Sequence, residues 1–192
     1  MPTKLTDRAY ANDFQTPIKV ANYMASMLPG YALTVLEPTK GQGNLIKAVK
    51  KYNPEYRIIA PDDFFQLDPK IRFDAVIMNP PFSHKTAFGF PDRLKGSGMA
   101  IGYHVLHQCM EMSDNVIALM PWFTISDSDV RLRHLKQFGL ISVTALPRST
   151  FNYARIQTVV LQLQKDYPGS TEFRVFDFKR KPQLFTSSPI KI

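Results

Sequence analysis

Residues 73–82 read Phe-Asp-Ala-Val-Ile-Met-Asn-Pro-Pro-Phe, and this stretch decides the fold. Its centre, from Ala75 to Met78, is an unbroken apolar run, which is typical of a strand buried on both faces of a sheet. Asn79 and two prolines then end the strand, because proline lacks a backbone donor and fixes an extended turn. In open α/β sheets, ligands bind at the carboxyl ends of the strands. We therefore expect a binding site at this turn.

The four residues after the strand suggest a specific chemistry. The side-chain oxygen of Asn79 and the carbonyl of Pro80 are both acceptors, so together they can hold the two hydrogens of one amino group. Phe82 offers a flat ring on which a base can stack, which contributes on the order of 1–3 kcal/mol. An ordinary strand-to-loop turn is the alternative, since Asn-Pro is a common turn dipeptide. The complete tetrad directly after an apolar run is more specific than that dipeptide.

The tetrad resembles the catalytic motif of the amino-directed, S-adenosylmethionine-dependent methyltransferases. It is most similar to that of N6-adenine DNA methyltransferases of the gamma type and of type I modification subunits, and the likeness spans residues 13–165. The resemblance implies an α/β, Rossmann-like methyltransferase fold whose mostly parallel sheet ends in an antiparallel edge hairpin. It implies methyl transfer from S-adenosylmethionine to adenine N6 in DNA, with these catalytic residues: Asn79, Pro80, Pro81 and Phe82.

Other functions remain open at this point. Methylation of an RNA base or of a protein glutamine is compatible with the same tetrad, because each substrate presents a planar amino group. A degenerate subunit that binds nucleic acid without catalysis is a third alternative. The shortened segment described below favours it, and the intact tetrad opposes it.

A glycine-containing turn follows the first expected strand, residues 32–36. Gly41 and Gly43 allow a tight turn and close approach of the backbone to a ligand. An acid at the strand end, Glu37, suits a ligand with an ammonium group better than one with a pyrophosphate. The turn resembles the first S-adenosylmethionine motif, except that Lys40 stands where a small residue is usual. The cofactor-binding residues expected here are Glu37, Pro38, Thr39, Gly41, Gly43 and Asn44.

Four further groups complete the expected cofactor site. Thr16 and Pro17 have the sequence of a helix N-cap and first helical position, and the resemblance places them against the methionine end of the cofactor. Asp63 and Phe64 resemble the pair that binds the cofactor's adenine. Asp62 is the nearest match for the acid that holds the ribose, although a turn explains it equally well. By the same resemblance, Asn79 also contacts the cofactor.

The segment between the glycine turn and Asn79 is short. A second strand at residues 56–60 is followed almost at once by the strand that begins at Phe73. One βαβ unit takes roughly 30 residues, and the fold normally places more than one unit here. We therefore expect one βα unit to be deleted or collapsed.

The formal charge of +8 and the isoelectric point of about 9.6 favour a polyanionic partner, here DNA. The basic loop at residues 83–97 begins beside the tetrad and suits contact with phosphates, although a solvated loop is the alternative for each side chain. Phe151 and Tyr153 precede the last clear strand, where an aromatic ring can pack an extruded base. A core role competes for Phe151 and is slightly favoured. The expected nucleic-acid contacts are His84, Lys85, Arg93, Lys95, Phe151 and Tyr153.

The chain of 192 residues, of which 44% are hydrophobic, suits one methyltransferase domain over residues 1–192. Residues 1–12 are expected to be loosely held, and residues 167–192 form a basic aromatic tail. The single cysteine excludes an intrachain disulfide, and we assign no residue to a metal. No apolar segment approaches 18 residues, so we expect a cytoplasmic protein without membrane contact. Since a large target-recognition domain has no room, a homodimer or a separate specificity subunit is expected.

The remaining apolar patterns predict the rest of the sheet and its helices. Helices are expected from Thr16 to the Pro29-Gly30 pair, at residues 99–112, and after a cap at Ser126 or Asp127. Further strands are expected at residues 116–121, 141–146, 158–163 and 173–178.

Overall fold

The computed structural model describes residues 15–82, 101–151 and 156–177, and these ranges form one mixed sheet with helices on both faces. The helices are α1 (Ile18–Ala25), α2 (Asn44–Tyr52), α3 (Ile101–Met112), α4 (Phe123–Ser126) and α5 (Asp129–Phe138). The strands are β1 (Thr34–Leu36), β2 (Arg57–Ile59), β3 (Ala75–Met78), β4 (Asn115–Pro121), β5 (Leu140–Ala145), β6 (Thr158–Gln164) and β7 (Glu172–Val175). None of the helices in these ranges is long and apolar enough to cross a membrane.

The sheet has the order β2-β1-β3-β4-β6-β5-β7. Strands β1 to β4 pair in parallel, β6 runs antiparallel to both β4 and β5, and β7 pairs in parallel with β5. The expected antiparallel hairpin is therefore present as β5 and β6. It does not form the edge itself, because β7 adds one more strand outside β5. The predicted strand in the tail accounts for this addition.

The apolar run of β3 is explained by the layers on either side. Ala75 and Ile77 belong to a core cluster that contains residues of α1 and α2, whereas Val76 and Met78 belong to a second cluster that contains residues of α3 and α5. All four side chains are completely buried. Because successive side chains of a strand point to opposite faces, a strand covered on both faces needs apolar residues at every position.

The shortening predicted after the second strand is confirmed. Strand β2 is the edge of the sheet, and it is joined to β3 by a loop whose regular structure is a single 3-10 turn, Phe64–Gln66. This connection places β3 on the far side of β1, where it pairs in parallel with that strand. The polar residues that follow β2 therefore lie at an open edge of the sheet.

Two helix starts differ from the expectation. Helix α1 begins at Ile18 with Pro17 as its N-cap residue, and Thr16 makes no capping hydrogen bond. The hydroxyl of Thr16 is instead engaged by Asn79, so a tertiary contact replaces the local cap. The cap of α5 is Ser128, whose side chain accepts from the amide of Arg131 at 3.3 Å, because the residues before it form the separate short helix α4.

Asp74 fastens β1 to β3 at the amino ends of the two strands. Its Oδ2 accepts from the amides of Leu33 and Thr34, at 2.9 and 2.8 Å, and from the Thr34 hydroxyl at 2.9 Å. These donors stabilise the charged form and lower the pKa of the carboxyl, led by the amide of Thr34. A lowered pKa means that the stability contributed by Asp74 is present above about pH 4 and is lost as the pH falls further.

We expect Asp74→Asn to lower the free energy of unfolding by about 1 kcal/mol at neutral pH, the low end for a partly solvated charged acceptor. Denaturant unfolding at pH 7 and pH 3.5 measures the effect, which should be smaller at the lower pH. Glu55→Gln removes a charge from an exposed position and serves as the control. Equal stability of Asp74→Asn and wild type at pH 7 would contradict this role.

Candidate active site

A cavity of about 580 Å³ opens where the parallel strands β1 to β4 end, and it contains the whole tetrad. The turns after β1, β2 and β3 contribute most of its walls, as the strand directions require. Its lining residues are Gln15, Thr16, Glu37, Pro38, Thr39, Lys40, Gly41, Asn44, Leu45, Pro61, Asp62, Asp63, Phe64, Phe65, Asn79, Pro80, Pro81, Phe82, Ile101, Val105, Phe123 and Ile156.

Glu37 begins the turn after β1 and is only 1% exposed, although it lines the cavity. Its Oε1 accepts from the amide of Thr39 at 2.9 Å and lies 3.3 Å from the Thr39 hydroxyl. Its Oε2 has no hydrogen-bond partner within the described part of the chain. Burial raises the pKa of the Glu37 carboxyl to about 8, against the opposing effect of the Thr39 hydrogen bonds. The carboxyl is therefore largely protonated at neutral pH.

Asn79 is held at the end of β3 by two threonines from other segments. Its Nδ2 donates to Thr16 Oγ1 at 3.0 Å, and its backbone carbonyl lies 3.2 Å from the Thr39 hydroxyl. Thr16 is in turn fixed by Asn44, whose Nδ2 donates to the Thr16 carbonyl at 3.0 Å. Because Thr16 holds the amide nitrogen, the orientation of the Asn79 side chain is set from outside its own strand. Thr39 lies within hydrogen-bond distance of both Glu37 and Asn79.

The two acids after β2 have different surroundings. Asp63 caps the 3-10 turn, with Oδ1 accepting from the amide of Phe65 at 3.0 Å. Asp62 has a side chain that is 96% exposed, and its Oδ1 lies 2.5 Å from Lys40 Nζ. The hydrogen bond and the charge of Lys40 lower the pKa of the Asp62 carboxyl. Lys40, at the position expected to be small, thus pairs with Asp62 at the wall of the cavity.

Helix α3 packs closely against the prolines of the tetrad. A Cβ on Gly102 would lie 3.2 Å from the Pro81 carbonyl oxygen and 3.4 Å from Pro80 Cγ, so a larger residue would fit only if the turn or the helix moved slightly. Two residues of this helix, Ile101 and Val105, line the cavity next to the turn. The helix therefore presents apolar side chains to the cavity beside the tetrad.

Most of the expected cofactor residues come together in this cavity. Those that line it are Thr16, Glu37, Pro38, Thr39, Gly41, Asn44, Asp62, Asp63, Phe64 and Asn79. Pro17 and Gly43 are not among the lining residues, and their contact with the cofactor stays a prediction. They act on the backbone: Pro17 starts α1, and Gly43 starts α2 with a positive φ of 78°.

Of the six expected nucleic-acid contacts, the described ranges contain one, Phe151. Phe151 is 5% exposed and packs in the core cluster of α1 and α2, so a contact with an extruded base is corrected to a packing role. The apolar surroundings of the ring explain this burial. Five of the expected residues lie outside the described ranges: His84, Lys85, Arg93, Lys95 and Tyr153.

Several lining residues were not assigned from the sequence. Gln15 Oε1 accepts from the amide of Gln42 at 2.9 Å and so closes the glycine turn, but no local pattern in the sequence connects these two residues. The sequence did contain a signal for Phe123, because this residue follows a buried strand as the tetrad does. Ile156 precedes β6 and carries no such signal. The other unassigned lining residues are Lys40, Leu45, Pro61, Phe65, Ile101 and Val105.

Comparison with known proteins yields one sequence relative and many structural ones. No protein-family model matches the chain. It is 24% identical to the type II methyltransferase M.CvrRI of Paramecium bursaria Chlorella virus XZ-6E, over 85% of this chain and 51% of that protein. The chain therefore spans about half the length of this relative.

Solved structures show the same fold. A type I restriction-modification methyltransferase subunit from Streptococcus thermophilus matches with a TM-score of 0.65 and 19% identity, over 85% of this chain and 47% of that one. A putative class I S-adenosylmethionine-dependent methyltransferase from Listeria monocytogenes matches with a TM-score of 0.62 and 14% identity, over 85% and 65%. A modification subunit of a putative type I restriction enzyme from Vibrio vulnificus YJ016 matches with a TM-score of 0.59 and 19% identity, over 88% of this chain and 48% of that one.

These likenesses agree with the geometry of the cavity. The expected fold class is confirmed by the sheet and by its structural neighbours. The chain has the Rossmann-like fold of the S-adenosylmethionine-dependent methyltransferases, whose cofactor is S-adenosylmethionine. The predicted resemblance of the chain to restriction-modification methyltransferases is confirmed, whereas the role of residues 79–82 stays a prediction.

Proposed function

We propose that this protein transfers a methyl group from S-adenosylmethionine to the N6 amino group of adenine in DNA. The observation that carries the proposal is that one cavity contains both the complete tetrad and the buried acid at the end of β1. The first supplies acceptors for a substrate amino group, and the second suits the ammonium group of the cofactor. The intact tetrad at the cavity wall favours catalysis over a binding role alone.

The residues present fit the cofactor. The buried Oε2 of Glu37 lacks a protein partner in the described ranges, so it is suited to the cofactor's ammonium. Phe64 and Asp63 offer an apolar surface and a carboxylate at the β2 side of the same cavity. Gly41 has a positive φ of 48°, a conformation that glycine adopts readily and that allows the turn to approach a ligand closely. When bound, S-adenosylmethionine supplies a methyl group activated by its sulfonium.

The tetrad would act on the substrate amino group. The Asn79 side-chain oxygen and the Pro80 carbonyl accept its hydrogens, which localises the nitrogen lone pair and makes the nitrogen more nucleophilic. Phe82 offers its ring for stacking, and Phe123 lines the same cavity. An adenine must leave the duplex to reach these groups, at a cost of a few kcal/mol that stacking offsets.

We propose Thr16 as a positioning residue for Asn79. Its hydroxyl is 3.0 Å from Asn79 Nδ2, and it is 3% exposed, so water does not readily replace it. This hydrogen bond orients the Asn79 side-chain amide, so that its nitrogen faces Thr16 and its oxygen, the acceptor, faces away from Thr16. Thr16 therefore acts on the reaction through Asn79.

We propose DNA and a further subunit as partners. The charge of +8 suits a polyanion, and the relatives include a type I modification subunit and a type I methyltransferase subunit. The chain spans about half the length of those two structures.

Asn79→Ala should lower methyl transfer to DNA about 100-fold or more, because a preorganised partner of the amino group is removed. The fold should remain largely intact, because the Asn79 side chain lies at the cavity wall and not in the core clusters. Incorporation of labelled methyl groups into DNA, RNA and protein gives the rate and identifies the substrate. Asn22→Ala, on a helix away from the cavity, is the control. Transfer near the wild-type rate would exclude the tetrad from catalysis, and label in RNA or protein instead of DNA would overturn the substrate.

Thr16→Val keeps the shape of the side chain but removes the hydroxyl that holds Asn79. We expect kcat to fall about tenfold, the effect of one lost hydrogen bond of roughly 1.4 kcal/mol, with little change in KM for DNA. Thr16→Ser retains the hydroxyl and should keep most of the activity. If the valine and serine variants lose equal activity, packing and not the hydrogen bond explains the effect.

DNA affinity should decrease steeply as salt increases, because phosphate contacts release counterions from DNA. Fluorescence anisotropy with a labelled duplex between about 50 and 200 mM salt should give a linear fall of log affinity with log salt, with several phosphates neutralised. A flat dependence would count against a nucleic-acid substrate.

A further inference from the structure

Glu37 combines burial with access to the cavity. The residue is 1% exposed, its backbone amide donates to the Ile59 carbonyl at 2.9 Å, and its Oε1 accepts from the amide of Thr39. Its Oε2 is buried and unpartnered within the described ranges. A carboxylate in such a place costs several kcal/mol unless a cation or further donors compensate it.

The surrounding groups do not supply that cation. The other titratable side chains in the described cavity wall are Lys40, Asp62 and Asp63, and the thiol of Cys109 on α3 interacts electrostatically with Glu37. Lys40 is the one cationic side chain among the described lining residues, and its ammonium is 2.5 Å from Asp62. Cys109 is completely buried, and burial together with Glu37 raises the pKa of its thiol, so it stays neutral. Among the described residues, none supplies the positive charge that a Glu37 carboxylate needs, whereas the ammonium group of the cofactor would supply it.

We propose that Glu37 is a proton-exchange site: it holds a proton in the free protein and releases it to solvent when the ammonium group of the cofactor faces it. This inference rests on the proposed function, because the ammonium is that of the methionine part of S-adenosylmethionine. The O–H bond of the carboxyl breaks, the proton passes to the buffer, and no covalent bond to the ligand forms. The protonated state at neutral pH agrees with a pKa of about 8 in the free protein.

Because binding of the cofactor would release one proton, the affinity for the cofactor should depend on pH. Below the pKa of Glu37 in the free protein, the affinity for the cofactor should rise by up to tenfold per pH unit. A chain-terminal α-amino group titrates at about 7.7–8.0, and deprotonation of the cofactor's amino group in the same range would oppose this trend at higher pH. The diagnostic window is therefore between about pH 6 and 7, where the ligand amine stays charged.

Calorimetric titration of the full chain with S-adenosylmethionine tests the proposal. Titrations at several pH values in two buffers of different ionisation enthalpy should show release of close to one proton at pH 6.5 and an affinity that rises about tenfold from pH 6 to 7. Glu37→Gln, which resembles the protonated carboxyl in shape, should bind more weakly at pH 7, without proton release and with nearly constant affinity. Glu55→Gln, at an exposed site, should behave as wild type.

The outcomes separate this inference from the proposed function. Binding by the wild type without proton release and with flat affinity would overturn the role of Glu37 and leave the methyltransferase proposal standing. Proton release that persists in Glu37→Gln would assign the proton to another group and overturn it as well. No binding of S-adenosylmethionine between pH 6 and 8 would overturn both. Should Glu37→Gln fail to fold, the comparison of two buffers with the wild type still decides whether a proton is released.

Discussion

Burial of strand β3 on both faces is the constraint on which the rest of the structure depends. Its four side chains have no exposure, and they alternate between the core cluster of α1 and α2 and that of α3 and α5. Burying them on two faces fixes the register of β3 against β1 and β4, since a slip by one residue would exchange the faces. The carboxyl end of β3 is therefore a rigid point, and Asn79 is attached directly to it.

The polar groups at that point are arranged in low-dielectric surroundings, where unpaired groups are costly. Thr16 and Thr39 hold Asn79, while Glu37 keeps one oxygen without a partner in the described ranges. Because the pKa of Glu37 is raised, its contribution to stability is fully present below about pH 4.3, where the unfolded side chain is also protonated. That contribution is lost as the pH rises through about 8. Ionisation of Glu37 in the free protein is therefore destabilising, and a bound cationic ligand would offset this effect.

The short connection between β2 and β3 shapes the opposite side of the cavity. With no further strand beyond β2 in the described part of the sheet, Asp62 lies at an open edge, and its side chain is 96% exposed. Lys40 neutralises it there, although an ion pair so exposed contributes little to stability. The two sides of the cavity therefore differ. Apolar residues of α3 line it beside the tetrad, and a solvent-exposed ion pair lies on the β2 side.

The sequence alone determined the parts that depend on local pattern. The apolar run and the prolines predicted β3 and its turn, and the glycines predicted the turn before α2. The short spacing between the glycine turn and Asn79 predicted the missing βα unit. Only the tertiary structure decided which partners those residues find. Thr16 has the sequence of a helix cap yet bonds to Asn79, and Phe151 packs in the core, a role that the sequence favoured only slightly over a base contact. The physical reason is that caps and strands follow from neighbours along the chain, whereas burial and hydrogen bonds between distant residues depend on how whole layers pack.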